Sequence, residues 1–253
     1  MTNAGHIDVS HSQNLAGETI LVTGASGNIG QGIARRLAAA GARIVVHYHQ
    51  DTPSARSLAA ELETGAPLQA DLGDEAAVDA LLSTSQPTMV VNNAAVQPVE
   101  PLGGMSAKAW RGVLAANLDG AFLVTQRAAR LWGDDGGAIV NVASIEGADP
   151  AAGHAHYATS KAGLLMFTRA AALEYGGRGI RVNAVSPGLI DHEGLSDDWP
   201  DGVARWLERA PLGRLGTPQD VADAVWFLLS PAARWISGTN LVVDGGMSAQ
   251  SRW

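Results

Sequence analysis

Short apolar runs alternate along the chain with longer segments whose apolar residues recur every three or four positions. ETILVT (18–23) is a compact run of strand formers, and 29–40 behind it places Ile29, Ile33, Leu37 and Ala40 on one helical face. Gly41 then stops the helix, as glycine does at helix C-termini. The rhythm predicts further strands at 42–48, 67–71, 88–94, 137–144, 180–188 and 240–246. Helices are predicted at 54–63, 74–83, 106–132, 156–175 and 220–230, with Ser106 as the N-cap of the longest. The strands are apolar along most of their length, the mark of parallel strands covered on both faces. Alternation over the whole chain predicts one α/β domain built on a single doubly wound parallel sheet of about seven strands, with helices on both faces.

Two stretches depart from the rhythm. Residues 189–216 are rich in Asp, Gly, Pro and Trp and follow the C-terminal end of a strand, where ligand crevices of such sheets lie. They are expected to form a substrate lid. Residues 1–14 are polar, lack the pattern of a signal peptide, and are expected to be a flexible leader to a domain spanning 15–253.

Composition narrows the function. The chain has 253 residues, a net charge of −8 and no Lys/Arg block, which argues against a nucleic-acid surface. It contains no cysteine, so disulfides, thiolate metal sites and a cysteine nucleophile are excluded. No apolar run approaches the ~20 residues of a membrane span. A cytoplasmic protein without membrane or nucleic-acid partners is expected.

The candidate chemistry lies in three places. TGASGNIG (23–30) joins the first strand to the first helix, where backbone N–H groups and the helix dipole receive phosphate. The spacing G-x-G-x-x-G is not met. In HYATSK (156–161), Tyr157 and Lys161 are one helical turn apart on one face. A phenol titrates near ~10, and a neighbouring ammonium is the simplest agent to bring it toward neutral. Ser144 ends the predicted fifth strand, so Ser144 and Tyr157 can meet at the crevice and bind one carbonyl oxygen.

Taken together, the motifs resemble the short-chain dehydrogenase/reductase family across 15–247. They are TGASGNIG, Asp71-Leu72, NNAA (92–95), Asn117, Ser144, Tyr157-x-x-x-Lys161, Pro187-Gly188 and VVDGG (242–246), in that order. The resemblance implies a Rossmann-like fold and an enzyme that interconverts a secondary alcohol and a ketone with a nicotinamide cofactor. By position, Tyr157 is then the acid/base, Lys161 lowers its pKa and binds the nicotinamide ribose, and Ser144 orients the substrate oxygen. Asn117 matches the residue whose backbone kink holds a water linking Lys161 to solvent. Gly24, Ser26, Gly27, Asn28, Ile29 and Gly30 face the cofactor phosphates. Asp71 and Leu72 contact the adenine, Asn93 and Ala94 the ribose region, and Pro187, Gly188 and Ile190 the nicotinamide. Asn28 stands where the family has glycine. Asparagine tolerates left-handed backbone best among the other residues, so a positive φ is expected there. Asp191-His192-Glu193 replaces the family's usual threonine region. Adjacent residues point apart, so no metal site is read from it.

The end of the second strand reads HYHQD, similar to a segment of NADP-using pteridine-reductase-like relatives. Tyr48 occupies the position of the aspartate of NAD-preferring members, with His49 and Gln50 beyond it. NADP(H) is favoured over NAD(H). A small alcohol or ketone is the expected substrate partner, met by Ser144, Gln97, Glu146, His154 and Trp199. Family members are commonly tetramers, so a homotetramer is expected, with a homodimer as the alternative. Two other readings stay open: a reductase of 3-oxoacyl thioesters, needing a basic patch such as Arg205, Arg209 and Arg214, and a cofactor-binding scaffold without turnover.

Overall fold

The computed structural model describes residues 14–249. Residues 1–13, nearly all of the expected leader, and 250–253 lie outside the described residues. The seven strands are β1 (Thr19–Val22), β2 (Arg43–Tyr48), β3 (Leu68–Gln69), β4 (Met89–Asn92), β5 (Gly137–Val142), β6 (Ile180–Pro187) and β7 (Asn240–Val243). They form one sheet in the order β3-β2-β1-β4-β5-β6-β7, with every pair parallel. The helices are α1 (Asn28–Ala39), α2 (Thr52–Glu61), α3 (Glu75–Ser85), α4 (Ala107–Leu114), α5 (Gly120–Trp132), α6 (Ala155–Tyr175), α7 (Leu195–Asp198), α8 (Pro200–Arg209) and α9 (Pro218–Leu229).

Strand alternation explains the two cores. In β1, Ile20 and Val22 point to the layer with Ile33 and Leu37 of α1 and Val225 and Leu228 of α9. Leu21 between them points to the opposite layer, with Val78 of α3 and Val124 and Trp132 of α5. All three β1 residues are fully buried, and each such burial is worth about 1.5–3 kcal/mol. This is why the strand shows no polar alternation. The helix starts follow their side chains. Ser106 accepts from Ala109 N–H at 3.0 Å as predicted, Asp74 caps α3, and Thr217 with Asp220 forms a capping box on α9.

One expectation is corrected here. The segment 106–132 is not one helix, because a π-helical turn over Ala115–Asp119 separates α4 from α5. One extra residue per turn scarcely disturbs an apolar stripe, so the pattern conceals it. Residues 189–216, which depart from the strand–helix rhythm, carry α7 and α8, α8 opening on Pro200, whose fixed φ suits a first turn. The segment returns through a bridge between Ile190 and Gly216.

Candidate active site

The strand C-termini open onto a cleft of about 1500 Å³. At its head, Gly24 takes a φ of +61°, and a Cβ there would come within 2.8 Å of Ala94 Cα. A Cβ on Gly30 would strike the carbonyl of Gly24 and lie 2.9 Å from Asn93 Nδ2. Bare backbone is thus required where the loop meets β4. Gly27 meets only one atom, at 3.5 Å, and it caps the N-terminus of α1 without a side chain. Ser26, Gly27, Asn28, Ile29 and Gly30 all line the cleft, so α1 presents free N–H groups and its positive dipole end to the cavity.

Asn28 does not have the expected backbone. It is the first residue of α1, and the described non-glycine residues with positive φ are Glu63 and Gln86. The left-handed turn is made at Gly24 instead, so position 28 has no need of glycine. The asparagine side chain is put to another use: Nδ2 donates to the main-chain oxygen of Asp191 at 2.8 Å.

The loop is held from behind by His47, which sequence reasoning passed over. Gly24 N–H donates to His47 Nδ1 at 3.0 Å, and His47 Nε2 lies 3.2 Å from Ala70 O. These partners assign the proton to Nε2. Burial holds the ring's pKa down to about 4, so it is neutral near pH 7. The available signal was a lone polar residue within an apolar strand. Thr23 completes the support, its Oγ1 accepting from Asn93 N–H at 2.9 Å and Ala94 N–H at 3.1 Å.

At the far end of the cleft, His49, Gln50, Asp71 and Leu72 line the wall. Tyr48 does not. It is buried in the core with Ala55 and Leu58 of α2, because alternation along β2 sends it away from the cleft that His47 and His49 face. Asn93 and Ala94 line the cleft, and Asn93 Nδ2 donates to the oxygens of Thr23 and Gly24.

The other end of the cleft lies between β5, α6 and the segment 189–216. Ser144 and Tyr157 are hydrogen-bonded through their hydroxyls. Ser144 Oγ also accepts from Glu146 N–H at 3.1 Å, which fixes the serine on a short 3₁₀ turn. Lys161 is 2% exposed and donates to Val142 O at 2.7 Å, with Nζ 5.6 Å from the centre of the Tyr157 ring. Asn117, in the π-helical turn, donates to Val96 O and to Ser160 Oγ and accepts from Val96 N–H. Its side chain therefore ties the loop after β4 to α6 beside Tyr157. Gln97, Glu146, His154 and Trp199 all line the cleft, as do Pro187, Gly188 and Ile190. Gly188 is sandwiched: a Cβ there would lie 2.6 Å from the Trp206 ring and 2.9 Å from Asp244 Cα.

Residues 24–248 match the sequence profile described as "Enoyl-(Acyl carrier protein) reductase". The chain belongs to the short-chain dehydrogenase/reductase family. A 3beta-hydroxysteroid dehydrogenase 1 of Eggerthella lenta is 38% identical over 248 residues, which are 93% of this chain and 95% of that protein. A 3-oxoacyl-[acyl-carrier-protein] reductase of Synechocystis is 35% identical, covering 92% and 98%. The structure of a gluconate 5-dehydrogenase from Burkholderia cenocepacia, in complex with NADP and tartrate, superposes with a TM-score of 0.88 at 30% identity, covering 96% and 99%. This short-chain dehydrogenase/reductase is an NAD(P)-dependent oxidoreductase interconverting alcohols and ketones. Among the described residues, no helix is long and apolar enough to cross a membrane.

The electrostatics of this dehydrogenase/reductase correct one expectation. Tyr157 is not lowered: burial pushes its phenol up to about 12, helped by the negative Glu146 and opposed by the Ser144 hydrogen bond. Burial also pulls Lys161 down to about 8. The ammonium is turned to the Val142 carbonyl and not to the phenol oxygen, so its charge does little to favour phenolate.

Proposed function

We propose that the enzyme reduces a small ketone, or oxidises the corresponding secondary alcohol, with Tyr157 as the acid/base and NADP(H) preferred. The observation that carries this reading is the Ser144–Tyr157 hydroxyl pair on the wall of the cleft, with Lys161 beside it on α6. In the reductive direction, both hydroxyls donate to the substrate oxygen. Tyr157 then passes its proton to that oxygen as negative charge develops, and Ser144 keeps the oxygen polarised. When bound, the nicotinamide supplies or accepts the hydride. Lys161 is read as the ribose ligand and Asn117 as the residue that keeps a water path open to Lys161. The bare-backbone cradle at Gly24, Gly27 and Gly30 fits a pyrophosphate, and 189–216 is read as the substrate lid.

The preference for NADP(H) rests on the end of β2. His49, Gln50 and Asp51 line the cleft there, and the Asp51 carboxylate accepts from Ser54 N–H at 3.1 Å as the cap of α2. A carboxylate used as a cap repels a 2′-phosphate less than a free one. A homotetramer is proposed on exposed apolar residues of α5 and α6, Phe122, Met166 and Leu173, the last 85% exposed. The enzyme is read as cytoplasmic.

A 3-oxoacyl-thioester reductase is the second reading, favoured by Arg205 and Arg209 on the cleft wall. The third arginine, Arg214, is paired with Asp220 at 2.7 Å and does not extend that patch. A panel of free alcohols, free ketones and acyl-carrier thioesters, followed by nicotinamide absorbance with NADPH and NADH, tests the proposal. Turnover of free ketones with an NADPH preference supports it. Turnover of carrier-bound thioesters alone selects the second reading.

A further inference from the structure

Beside Tyr157, Glu146 and His154 form a carboxylate–imidazole dyad on the cleft wall. His154 Nδ1 lies 2.9 Å from one Glu146 oxygen and 3.2 Å from the other. Gln97 Nε2 donates to the same carboxylate at 2.8 Å. Gln97 Nε2 also lies 3.4 Å from His154 Nδ1, but the carboxylate at 2.9 Å is the nearer and stronger partner and places the imidazole proton on Nδ1. The outer nitrogen, Nε2, is left with a lone pair and has no partner among the described residues. Both side chains of the dyad are 16% exposed, so they are sheltered yet open to the cavity they line.

The dyad is fixed relative to the reacting hydroxyls. Glu146 N–H donates to Ser144 Oγ, and the His154 ring packs edge-on to the Tyr157 ring with centroids 6.1 Å apart. A group held by Ser144 and Tyr157 therefore extends past a nitrogen acceptor backed by a carboxylate. Such an acceptor matches a hydroxyl O–H, which a bare alkyl chain lacks. The adjacent carboxylate disfavours an anionic group at the same place.

We infer that Glu146 and His154, steadied by Gln97, form a subsite that reads a second hydroxyl of the substrate, which is therefore a vicinal diol or the matching hydroxyketone. The hydroxyl read is not the one oxidised; it sits on a neighbouring carbon and donates to His154 Nε2. This inference rests on the reading that Ser144 and Tyr157 hold the reacting oxygen. Sites built to hydrogen-bond a hydroxyl discriminate strongly against analogues without it, because the buried acceptor is left unpaired.

The test compares butane-2,3-diol with butan-2-ol, which differ by that one hydroxyl. The wild-type enzyme is expected to show a kcat/KM for the diol at least about tenfold higher. His154→Phe keeps the ring against Tyr157 but removes both nitrogens. It is expected to remove the preference through KM for the diol, with a smaller loss on butan-2-ol. His154→Asn is made in parallel, and both variants are checked by thermal melting. Equal rates on the two alcohols in the wild type, or an equal loss on both in a folded variant, overturn the inference and leave the oxidoreductase reading standing. No turnover of either alcohol, or of the matching ketones, with NADP(H) or NAD(H) removes both.

Discussion

The side chain of Asn28 donates to the main-chain oxygen of Asp191 at 2.8 Å, joining the first turn of α1 to the segment that follows β6. The loop at 23–30 and the start of the segment 189–216 are therefore one hydrogen-bonded unit. Asn28→Gly removes the tether without disturbing the Gly24 turn. It is expected to cost about 0.5–1.5 kcal/mol, the usual net value of one hydrogen bond. Amide exchange over 189–199 should rise while NADPH still binds. Asn28→Asp also removes the donor but adds a negative charge at the phosphate cradle. It should weaken NADPH binding about tenfold or more, read by fluorescence titration. Unchanged exchange in Asn28→Gly would show that the tether does not hold the segment.

His47 gives the loop at 23–30 a pH sensitivity. Its folded pKa, about 4, is depressed by burial from an ordinary value of 6.5. Between these values the unfolded chain binds the extra proton and the folded chain does not. Stability is therefore fully present above 6.5 and is lost as pH falls toward 4, by up to roughly 3 kcal/mol. Urea unfolding of wild type and His47→Gln at pH 7.5 and 4.5 isolates the contribution. The wild type should lose more stability on acidification than the variant; parallel losses would contradict the assignment.

Lys161 acts in the opposite pH range. Burial lowers its pKa from 10.5 to about 8, so the folded chain releases its proton before the unfolded one as pH rises. The wild type should gain up to roughly 3 kcal/mol relative to Lys161→Met between pH 7 and 10.5. The absolute gap at pH 7 also contains the lost bond to Val142 O, so the change with pH is the quantity to read. A gap that does not change with pH would mean that the ammonium is solvated.

Much of this organisation was legible in the chain because its causes are local. Ile20, Leu21 and Val22 are all apolar since both faces of β1 are covered, and Ser106 and Asp74 cap helices within one turn of themselves. Tyr157 and Lys161 share a face because helical periodicity requires it. What escaped depends on partners far away in sequence. His47 matters through Gly24 and Ala70, and Asn28 through Asp191. Tyr48 was misplaced by one step of strand alternation, which reverses the face. The raised phenol of Tyr157 reflects burial and the route of the Lys161 side chain to Val142, neither of which spacing reveals. The π-helical turn at Asn117 is invisible to periodicity because its apolar face continues on either side, although the family resemblance places a backbone kink at that residue.

The central claim is that the Tyr157 hydroxyl delivers and removes the proton while the rest of the cleft binds the cofactor. Single-turnover ketone reduction by Tyr157→Phe, measured beside NADPH binding to the same sample, tests it most directly. The account predicts NADPH binding within a few-fold of wild type and a rate lower by about 10²–10⁴-fold. A reduction rate equal to that of the wild type, at equal cofactor occupancy, would contradict it.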